Sequence, residues 1–337
     1  MPVSIVVGGQ FGSEGKGKVA HYLAQKMGAS FAVRCGGPNS GHTVIDPSGK
    51  ARIFQQLPTA AILPDVKLAI CAGSYIDLDI LLREIQETRV GPDRLIIDPD
   101  AVIITEEIKQ REAQGGLIGR IGSTGSGTGA AVVARINRES SLLFARNIEK
   151  LAPFINTVSD ILRDSANKNE RIIIEGTQGF GLSLFHSNYF PFATSRDTTA
   201  ACFLAETGLS PLDVDDIILT IRSFPIRVAG KSGPLPKEIT WKVICEEEGG
   251  NKNIIEKSSV TKNIRRVARF DSKIVRKAIK INNPTQISLN HLDYLPKERV
   301  LDFVKYIEKE IEREINYFGF SQIKLIGRNE LEKYVQG

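Results

Sequence analysis

The sequence has little that would support a disulfide framework, a metal cluster or a membrane span. Its 337 residues include only four cysteines, which are scattered and form no C-x-x-C pair. We therefore expect neither disulfide bonds nor a cysteine-bound metal, and a reducing compartment such as the cytoplasm. No apolar run reaches the length of about 20 residues that a membrane-spanning helix needs, and no signal peptide is expected.

The chain also lacks a large excess of charge of either sign. The chain has 44 Lys and Arg residues against 39 Asp and Glu residues, which gives a formal net charge of +5. No basic tract with interleaved aromatic residues occurs, so we do not expect a nucleic-acid polymer as a partner. A mild positive excess suits small phosphorylated substrates.

Short β-branched runs alternate along the chain with stretches of helical spacing. The runs are Val3–Val7, Phe31–Cys35, Lys67–Cys71, Arg171–Glu175, Ile217–Ile221 and Ile323–Ile326. Leu78–Glu87 has helical spacing, and apolar residues from Val300 to Phe318 follow one face of a long helix. This alternation predicts an α/β fold, with a single large domain over residues 1–337 around a mostly parallel central sheet.

Five glycine-rich stretches stand out, and several follow the predicted strands directly. They are Gly8–Lys18, Cys35–Thr43, Ile121–Gly129, Glu175–Gly181 and Val228–Pro236. Ligands of open α/β sheets bind at the carboxyl ends of the strands. We therefore expect these long loops to converge on one crevice.

The first loop has the spacing G-x-x-x-x-G-K from Gly12 to Lys18. A phosphate loop of the usual kind continues with Ser or Thr, whose hydroxyl holds Mg²⁺, but Val19 stands there. Backbone N–H groups and the start of a helix near Val19 can still bind phosphate. The spacing therefore predicts phosphate binding, with Mg²⁺ held in another way.

The second loop, Cys35–Thr43, carries His42, one of only four histidines. Imidazole can donate a hydrogen bond to an oxyanion or a leaving oxygen near neutral pH. His42 is therefore a candidate catalytic residue, and an ordinary loop histidine is the alternative.

Together, "GGQFGSEGKGK" and "GGPNSGHT" resemble the first two signatures of the adenylosuccinate synthetases, which are purine-pathway ligases with a P-loop-related fold. The family has G-x-Q-W-G-D-E-G-K-G-K and G-G-x-N-A-G-H-T at these places. The resemblance continues through "IGSTGSGTGAA", "EGTQGFGLSL", "FPFATSRDTTA" and "RVAGKSGPLP". It covers most of the chain, whose compact length is like that of the archaeal and viral branch.

The resemblance implies a two-step ligase reaction. A nucleoside triphosphate phosphorylates O6 of a 6-oxopurine nucleotide, and the amine of L-aspartate then displaces that phosphate at C6. An acid in the first loop removes the N1 proton and helps to hold Mg²⁺. By position, Ser13 and His42 are the catalytic candidates, and Ser13 and the Gly41 carbonyl are the candidate magnesium ligands.

The resemblance also implies the binding residues. For the triphosphate they are Gly12, Glu14, Gly15, Lys16, Gly17, Lys18, Thr43, His291, Asp293 and Gly327. For the substrate nucleotide they are Ser13, Asn39, Thr124, Arg138, Gln178 and Thr194. For the carboxylates of L-aspartate they are Thr261 and Arg265. Arg138 matches an arginine that crosses a dimer interface, so a homodimer is expected.

Ser13 stands where the family has its catalytic aspartate. The aspartate would face N1 of the purine, beside C2, where hypoxanthine has hydrogen and guanine has an amino group. Serine is a poor base, but it leaves room for that amino group and can accept a hydrogen bond from it. The departure resembles the viral 2-aminoadenylosuccinate synthetase branch, which joins dGMP and aspartate on the way to 2-aminoadenine DNA. A damaged synthetase is the alternative interpretation.

Two further departures concern the nucleotides. Asn263 aligns with an arginine that contacts the ribose 2′-oxygen in the family, and losing that contact matters less for a deoxyribose. In "LNHLDYL", His291 replaces the lysine that packs on the guanine of GTP, whereas Asp293 is retained. We therefore expect ATP as the phosphate donor, and GTP stays open.

The sequence thus predicts a ligase that joins L-aspartate to dGMP with ATP and Mg²⁺, acting in the host cytoplasm if the source is a bacteriophage. An ordinary synthetase that uses IMP and GTP is the first alternative. A GTPase-type regulatory module is the second, although Val19 lacks the P-loop hydroxyl. The acceptor of the N1 proton stays open between Glu14 and a bound water.

Overall fold

A nine-stranded sheet organises the part of the chain that this computed structural model describes, residues 1–247, 254–258 and 262–336. The strands are β1 (Val3–Gly8), β2 (Phe31–Arg34), β3 (His42–Ile45), β4 (Ala51–Phe54), β5 (Lys67–Ile70), β6 (Tyr75–Ile76), β7 (Leu95–Ile97), β8 (Val102–Ile103), β9 (Ile172–Glu175), β10 (Val214–Arg222), β11 (Ile226–Arg227), β12 (Glu238–Ile239), β13 (Arg266–Ala268), β14 (Gln286–Asn290), β15 (Tyr317–Phe320) and β16 (Lys324–Gly327).

The helices pack around this sheet. They are α1 (Lys16–Lys26), α2 (Leu78–Thr88), α3 (Glu106–Gln114), α4 (Leu117–Ile121), α5 (Thr128–Ile136), α6 (Val158–Asn167), α7 (Ala200–Thr207), α8 (Trp241–Glu247), α9 (Ser272–Asn282), α10 (Lys297–Ile311) and α11 (Leu331–Gln336). Among the described residues, none of these helices has the length and apolar character needed to cross a membrane.

The order of the large sheet is β16-β15-β14-β10-β1-β9-β2-β5-β7. Neighbouring strands run parallel, except that β15 and β16 at one edge are antiparallel. The predicted α/β fold with a mostly parallel central sheet is therefore confirmed. Because the parallel strands share one direction, their carboxyl ends meet along one edge of the sheet, and the loops that follow them lie there.

Both faces of the sheet are covered, which explains why its strands are apolar throughout. Alternate residues of β1 point to opposite faces: Ile5 packs in a core with Phe203 of α7, and Val6 packs in a second core with Leu23 of α1. The central strands are thereby fixed between two helical layers, and the loops at their carboxyl ends start from rigid positions.

Two helix boundaries differ from the sequence-based prediction. The long helix predicted to reach Phe318 ends at Ile311, because Glu312 takes a left-handed conformation with φ 55° and turns the chain. Phe318 is buried in β15 instead, so the three- and four-residue spacing continued across a helix–strand boundary. At the other end of the chain, α1 begins at Lys16, earlier than the predicted start near Val19.

Candidate active site

A cavity of about 1340 Å³ opens at the carboxyl ends of the parallel strands, and all five glycine-rich stretches contribute to its lining. The expectation that these loops converge is therefore confirmed. The lining brings together most of the residues predicted from the sequence. They are Gly12, Ser13, Gly15, Lys16, Gly17, Lys18, Asn39, Gly41, His42, Thr43, Thr124, Gln178, Thr194, Arg265, His291 and Asp293.

The loop between β1 and α1 is built from left-handed backbone. Gly12 and Gly15 have φ values of 101° and 93°, which glycine adopts without a Cβ penalty. Ser13 also has a positive φ, of 54°, an uncommon conformation for a residue with a side chain. Left-handed turns of this kind can direct backbone N–H groups toward one space. Helix α1 begins at Lys16, which lines the cavity, so the positive end of the helix lies at the cavity wall.

Glu14 holds this loop together from the inside. Its fully buried carboxylate accepts hydrogen bonds from the backbone N–H groups of Gln10 and Gly12, at 3.1 and 2.8 Å, and pairs with Lys16 Nζ at 2.6 Å. The Glu14 side chain does not line the cavity. Only its backbone can meet a triphosphate, and its carboxylate is poorly placed to take a proton from a nucleotide.

Lys18 is the second cation of the loop. Its Nζ donates to the carbonyl of Ser321, 3.0 Å away, in the turn between β15 and β16. Burial lowers the pKa of Lys18 to about 8, and the nearby charge of Asp293 opposes the shift. Lys18 therefore stays mostly protonated near pH 7, as a phosphate-binding cation must.

His42 begins β3 and forms a short contact with a buried carboxylate. Its Nδ1 lies 2.5 Å from Glu175 Oε1, at the carboxyl end of β9. Arg34 Nη1 donates to the same oxygen at 2.8 Å, and the backbone N–H of Thr59 donates to the other oxygen at 2.8 Å. The imidazole is thereby fixed in orientation, and Nε2 is left for the cavity that His42 lines.

The charges of this pair follow from its surroundings. Burial lowers the pKa of His42 to about 4, and the positive charge of Arg34 adds to the effect. Burial would raise the pKa of Glu175, but His42 and Arg34 outweigh it and hold the pKa at about 2. Near neutral pH a neutral imidazole therefore donates from Nδ1 to an ionised Glu175, which would stabilise an imidazolium formed during a reaction.

Sequence analysis missed Glu175 as a site residue. It was visible only as an acid at the end of the run "RIIIE", where a charged residue follows three isoleucines suited to a buried strand. A carboxylate at the carboxyl end of a central parallel strand is the signal that could have found it. Its partner His42 is 133 residues away in the sequence, so their pairing could not be predicted from the sequence.

The loop after β14 carries His291 and Asp293, and both line the cavity. The His291 ring lies against Tyr294, with ring centroids 5.3 Å apart, and makes a hydrogen bond to the backbone of Ser13. Burial, together with the charge of Arg222, lowers the pKa of His291 well below its usual value. His291 is therefore a neutral group that joins two loops of the cavity wall.

The predicted aspartate-binding segment forms another part of the wall. Arg265 lines the cavity, and burial lowers its pKa without removing its charge at neutral pH. Asn263 also lines the cavity, and its carbonyl accepts from the backbone N–H of Ser258 at 2.9 Å. Thr261, the other predicted aspartate ligand, lies outside the described residues.

Besides Glu14, two predicted site residues lie away from the cavity lining. Gly327 ends β16, and its N–H donates to Glu330 Oε2 at 2.9 Å. Arg138 is exposed just after α5, where the chain turns with φ 57°. The placement of Arg138 leaves it outside this cavity and accessible to another molecule.

The described residues contain no group of three or more His, Cys, Asp or Glu side chains arranged to hold a metal ion. The oxygens at the first two loops include the Ser13 hydroxyl and the Gly41 carbonyl, and both residues line the cavity. Mg²⁺ commonly keeps several waters and binds through one or two protein oxygens plus substrate phosphates. This donor set fits an ion that arrives on a triphosphate.

The glycine-built loop before α1, the buried His42–Glu175 pair and the convergent loops define a nucleotide-dependent enzyme of the P-loop-related α/β class. A family model described as adenylosuccinate synthetase matches residues 5–145 and 142–309. The chain belongs to the adenylosuccinate synthetase family, whose members are nucleotide-binding ligases of purine biosynthesis.

Archaeal adenylosuccinate synthetases are similar to the chain in sequence. The adenylosuccinate synthetase of Methanocaldococcus jannaschii is 40% identical over 315 residues, which cover 92% of this chain and 88% of the relative. That of Pyrococcus horikoshii is 36% identical over 318 residues, with 93% and 91% coverage. These archaeal proteins carry the ordinary family name.

Two solved structures share the fold. Cyanophage S-2L succinoaminodeoxyadenylate synthetase, bound to dGMP and to dATP as an energy donor, matches with a TM-score of 0.85 and 30% identity, covering 99% of this chain and 98% of that one. Fully ligated adenylosuccinate synthetase from Plasmodium falciparum matches with a TM-score of 0.84, covering 97% of this chain and 100% of that one. Its identity is 19%, so this match supports the fold alone.

Proposed function

We propose that the enzyme joins L-aspartate to C6 of dGMP through a 6-phosphoryl intermediate and so makes 2-amino-2′-deoxyadenylosuccinate. The observation that carries the proposal is Ser13, a partly exposed residue of the cavity wall at the place of the family's acid. A carboxylate there would crowd the 2-amino group of guanine. A serine leaves space, and its oxygen can accept a hydrogen bond from that group.

Two other acids of the cavity wall, Glu112 and Glu256, give no ready substitute for the missing carboxylate. Glu112 accepts from the backbone N–H of Gly129 at 2.8 Å and from Ser123 Oγ at 3.1 Å. Glu256 is paired with Arg222. A buried carboxylate that is already hydrogen-bonded is costly to redirect, because its partners would be left unpaired. Neither Glu112 nor Glu256 is therefore free to take the place of the family's acid.

The comparisons support two acceptors to different degrees. The cyanophage enzyme, 30% identical over nearly the whole chain, binds dGMP and dATP, and this favours dGMP here. The archaeal relatives, at 36–40% identity, are ordinary adenylosuccinate synthetases, and this favours IMP as the alternative acceptor. The departure at Ser13 is the observation for which we propose dGMP rather than IMP.

Each wall of the cavity has a part in the proposed reaction. Backbone N–H groups from Ser13 to Gly17, with Lys16 and Lys18, hold the triphosphate. His42, oriented by Glu175, stabilises the charge that develops on O6 of the purine. Arg265 binds a carboxylate of L-aspartate, because its planar fork can donate two parallel hydrogen bonds.

Members of this family generally use Mg²⁺, and the donor set of the cavity fits it. The Ser13 hydroxyl and the Gly41 carbonyl would hold the ion beside the triphosphate. When bound, it neutralises charge on the transferring phosphoryl group. Because Ser13 offers a neutral oxygen where the family has a carboxylate, we expect the protein to contribute less to magnesium affinity than the phosphates do.

The phosphate donor in this proposal is ATP, and dATP is tolerated. The lysine that packs on guanine in GTP-using relatives is replaced by His291, whose ring is engaged with Tyr294 and the Ser13 backbone. A base pocket discriminates strongly only when the wrong base leaves buried polar groups unpaired. With one guanine-reading side chain absent, that penalty is small for adenine.

A parallel product assay tests the proposal. The enzyme is supplied with ATP, Mg²⁺ and L-aspartate, and with dGMP, GMP, dIMP or IMP in separate reactions, and the succinylated product is identified by mass. We expect dGMP to give the highest kcat/KM. A preference for IMP would establish the ordinary synthetase instead. Triphosphate hydrolysis without any aspartate adduct would establish a GTPase-type module.

A further inference from the structure

Arg222, the last residue of β10, links two walls of the cavity. Its side chain is fully buried, and Nη1 donates to the backbone carbonyl of Ser13 at 2.9 Å. The same guanidinium also pairs with the carboxylate of Glu256, through Nη2 to Oε1 and Nη1 to Oε2. One planar group therefore contacts the Ser13 loop and the 254–258 segment at the same time.

Glu256 is in turn connected to the wall that carries Arg265. The Glu256 carbonyl accepts from the backbone N–H of Arg265 at 2.9 Å, and the carboxylate accepts from Tyr294 Oη at 2.8 Å. The Arg265 carbonyl accepts from Trp241 Nε1 at 2.7 Å, and this bond also holds the backbone at Arg265. A displacement of Arg265 would therefore reach Glu256 through a direct backbone hydrogen bond.

The contacts of the Arg222–Glu256 ion pair indicate more than a contribution to the stability of the fold. Replacing a buried ion pair by apolar side chains is often neutral or stabilising, so burial of Arg222 and Glu256 is weak evidence for stability. Together they hold two backbone atoms of the cavity wall, the Ser13 carbonyl through the Arg222 side chain and the Arg265 N–H through the Glu256 carbonyl. One of those atoms belongs to Ser13, whose left-handed conformation at φ 54° persists only if its surroundings fix it.

We propose that Arg222 and Glu256 are a positioning pair that couples the wall carrying Arg265 to the backbone of Ser13. Engagement of L-aspartate at Arg265 then fixes the Ser13 loop against the acceptor nucleotide. The inference rests on the proposed function, because that function places aspartate at Arg265. Neither residue needs to touch a substrate, since each acts through the backbone that it holds.

Kinetics of two conservative variants test the pair. Arg222→Lys keeps the charge but cannot reach two acceptors with a planar fork, and Glu256→Gln keeps the shape but loses the charge. We expect kcat to fall and KM for aspartate to rise, each by about 10-fold or more, because small misplacements are costly to catalysis. KM for the triphosphate should stay within about twofold. Arg163→Lys is the matched control, because Arg163 makes a bidentate pair with Asp213, at 2.8 and 2.6 Å, away from the cavity.

A merely structural role would lower the folded fraction and leave KM for aspartate unchanged, and that result would overturn the inference. Amide hydrogen exchange supplies a second readout. In the parent with acceptor nucleotide, adding aspartate should slow exchange in peptides that cover Ser13, and this response should be lost in Glu256→Gln. An equal response in both proteins would also overturn the inference. The comparison uses whichever acceptor the parent prefers, so a preference for IMP would refute the dGMP proposal alone.

Discussion

His42 enters the cavity with its Nδ1 already engaged by Glu175, 2.5 Å away. A hydrogen bond from such a fixed imidazole contributes most as charge builds on O6 and little to the ground state. We predict that His42→Ala lowers turnover by about 100-fold or more, whereas the dissociation constants of both nucleotides change little. Steady-state kinetics and nucleotide binding by calorimetry measure the two effects.

The control for His42 is its partner. Glu175→Gln keeps a hydrogen-bond acceptor for Nδ1 but removes the charge that would stabilise an imidazolium, so turnover should fall less than in His42→Ala. If His42→Ala turns over at the parent rate, His42 is an ordinary loop histidine and the mechanism loses its O6 contact.

His291 and Asp293 bear on the choice of phosphate donor. Since the His291 ring is turned toward Tyr294 and Ser13, we predict that ATP supports the reaction and that dATP replaces it with little loss. Initial rates with saturating dGMP and aspartate, and with ATP, dATP and GTP varied separately, give the comparison. A kcat/KM for GTP more than about tenfold above that for ATP would show that Asp293 alone reads guanine.

At the scale of elements, the loop between β1 and α1 depends on one buried side chain. Glu14 satisfies two backbone N–H groups and the charge of Lys16, so its removal leaves three groups unpaired. We predict that Glu14→Ala lowers the free energy of unfolding by about 3 kcal/mol or more and weakens triphosphate binding. Urea denaturation measures the first effect.

Glu330→Ala is the matched control for that loss. Glu330 also accepts from a backbone N–H, that of Gly327 at 2.9 Å, but at an exposed position. Its removal should change stability by no more than about 0.5 kcal/mol. Equal effects of the two substitutions would mean that Glu14 does not organise the loop.

The strands of the sheet were the most predictable elements. Val3–Val7 and Lys67–Cys71 were placed to within one residue of β1 and β5, because continuous β-branched runs suit strands buried on both faces. The end of α10 was not predictable in the same way. The three- and four-residue spacing of apolar residues continues past Glu312 into β15. The left-handed residue that ends the helix is Glu312 and not a glycine, so the sequence does not indicate the turn.

The site was predictable where a loop motif carries it and hidden where the partners are distant. Ser13 and His42 lie within glycine-rich motifs, and the structure brings them to one cavity. Glu175 and Glu256 are ordinary acids in the sequence. Their importance comes from His42 and Arg222, which are 133 and 34 residues away, and such pairings follow from the topology of the sheet.

For the whole molecule, the family resemblance at Arg138 implies a homodimer as the working unit, and the exposed position of Arg138 is compatible with that. Val133 and Ile136 of the adjoining helix α5 are 55% and 67% exposed, so this surface offers apolar area beside the arginine. We predict that Arg138→Ala raises KM for the acceptor nucleotide by about tenfold or more, because a phosphate would lose a charge-assisted partner. Sedimentation should give the mass of a dimer.

A mixing experiment separates an arginine that crosses the interface from one that acts within its own subunit. The Arg138→Ala and His42→Ala variants should each be impaired alone. If Arg138 reaches across the interface, a hybrid dimer has one intact site, with His42 from one subunit and Arg138 from the other. Mixing the two variants under exchange conditions should therefore restore activity. Activity that stays at the average of the two variants would place Arg138 outside the partner's site.

The acceptor preference of the intact enzyme tests the central claim, that Ser13 admits guanine. The measurement is kcat/KM for dGMP and for IMP, in the parent and in Ser13→Asp. We predict that the parent prefers dGMP by about 30- to 150-fold, which corresponds to about 2–3 kcal/mol, and that Ser13→Asp lowers the dGMP value. An equal kcat/KM for dGMP in the parent and in Ser13→Asp would contradict the account.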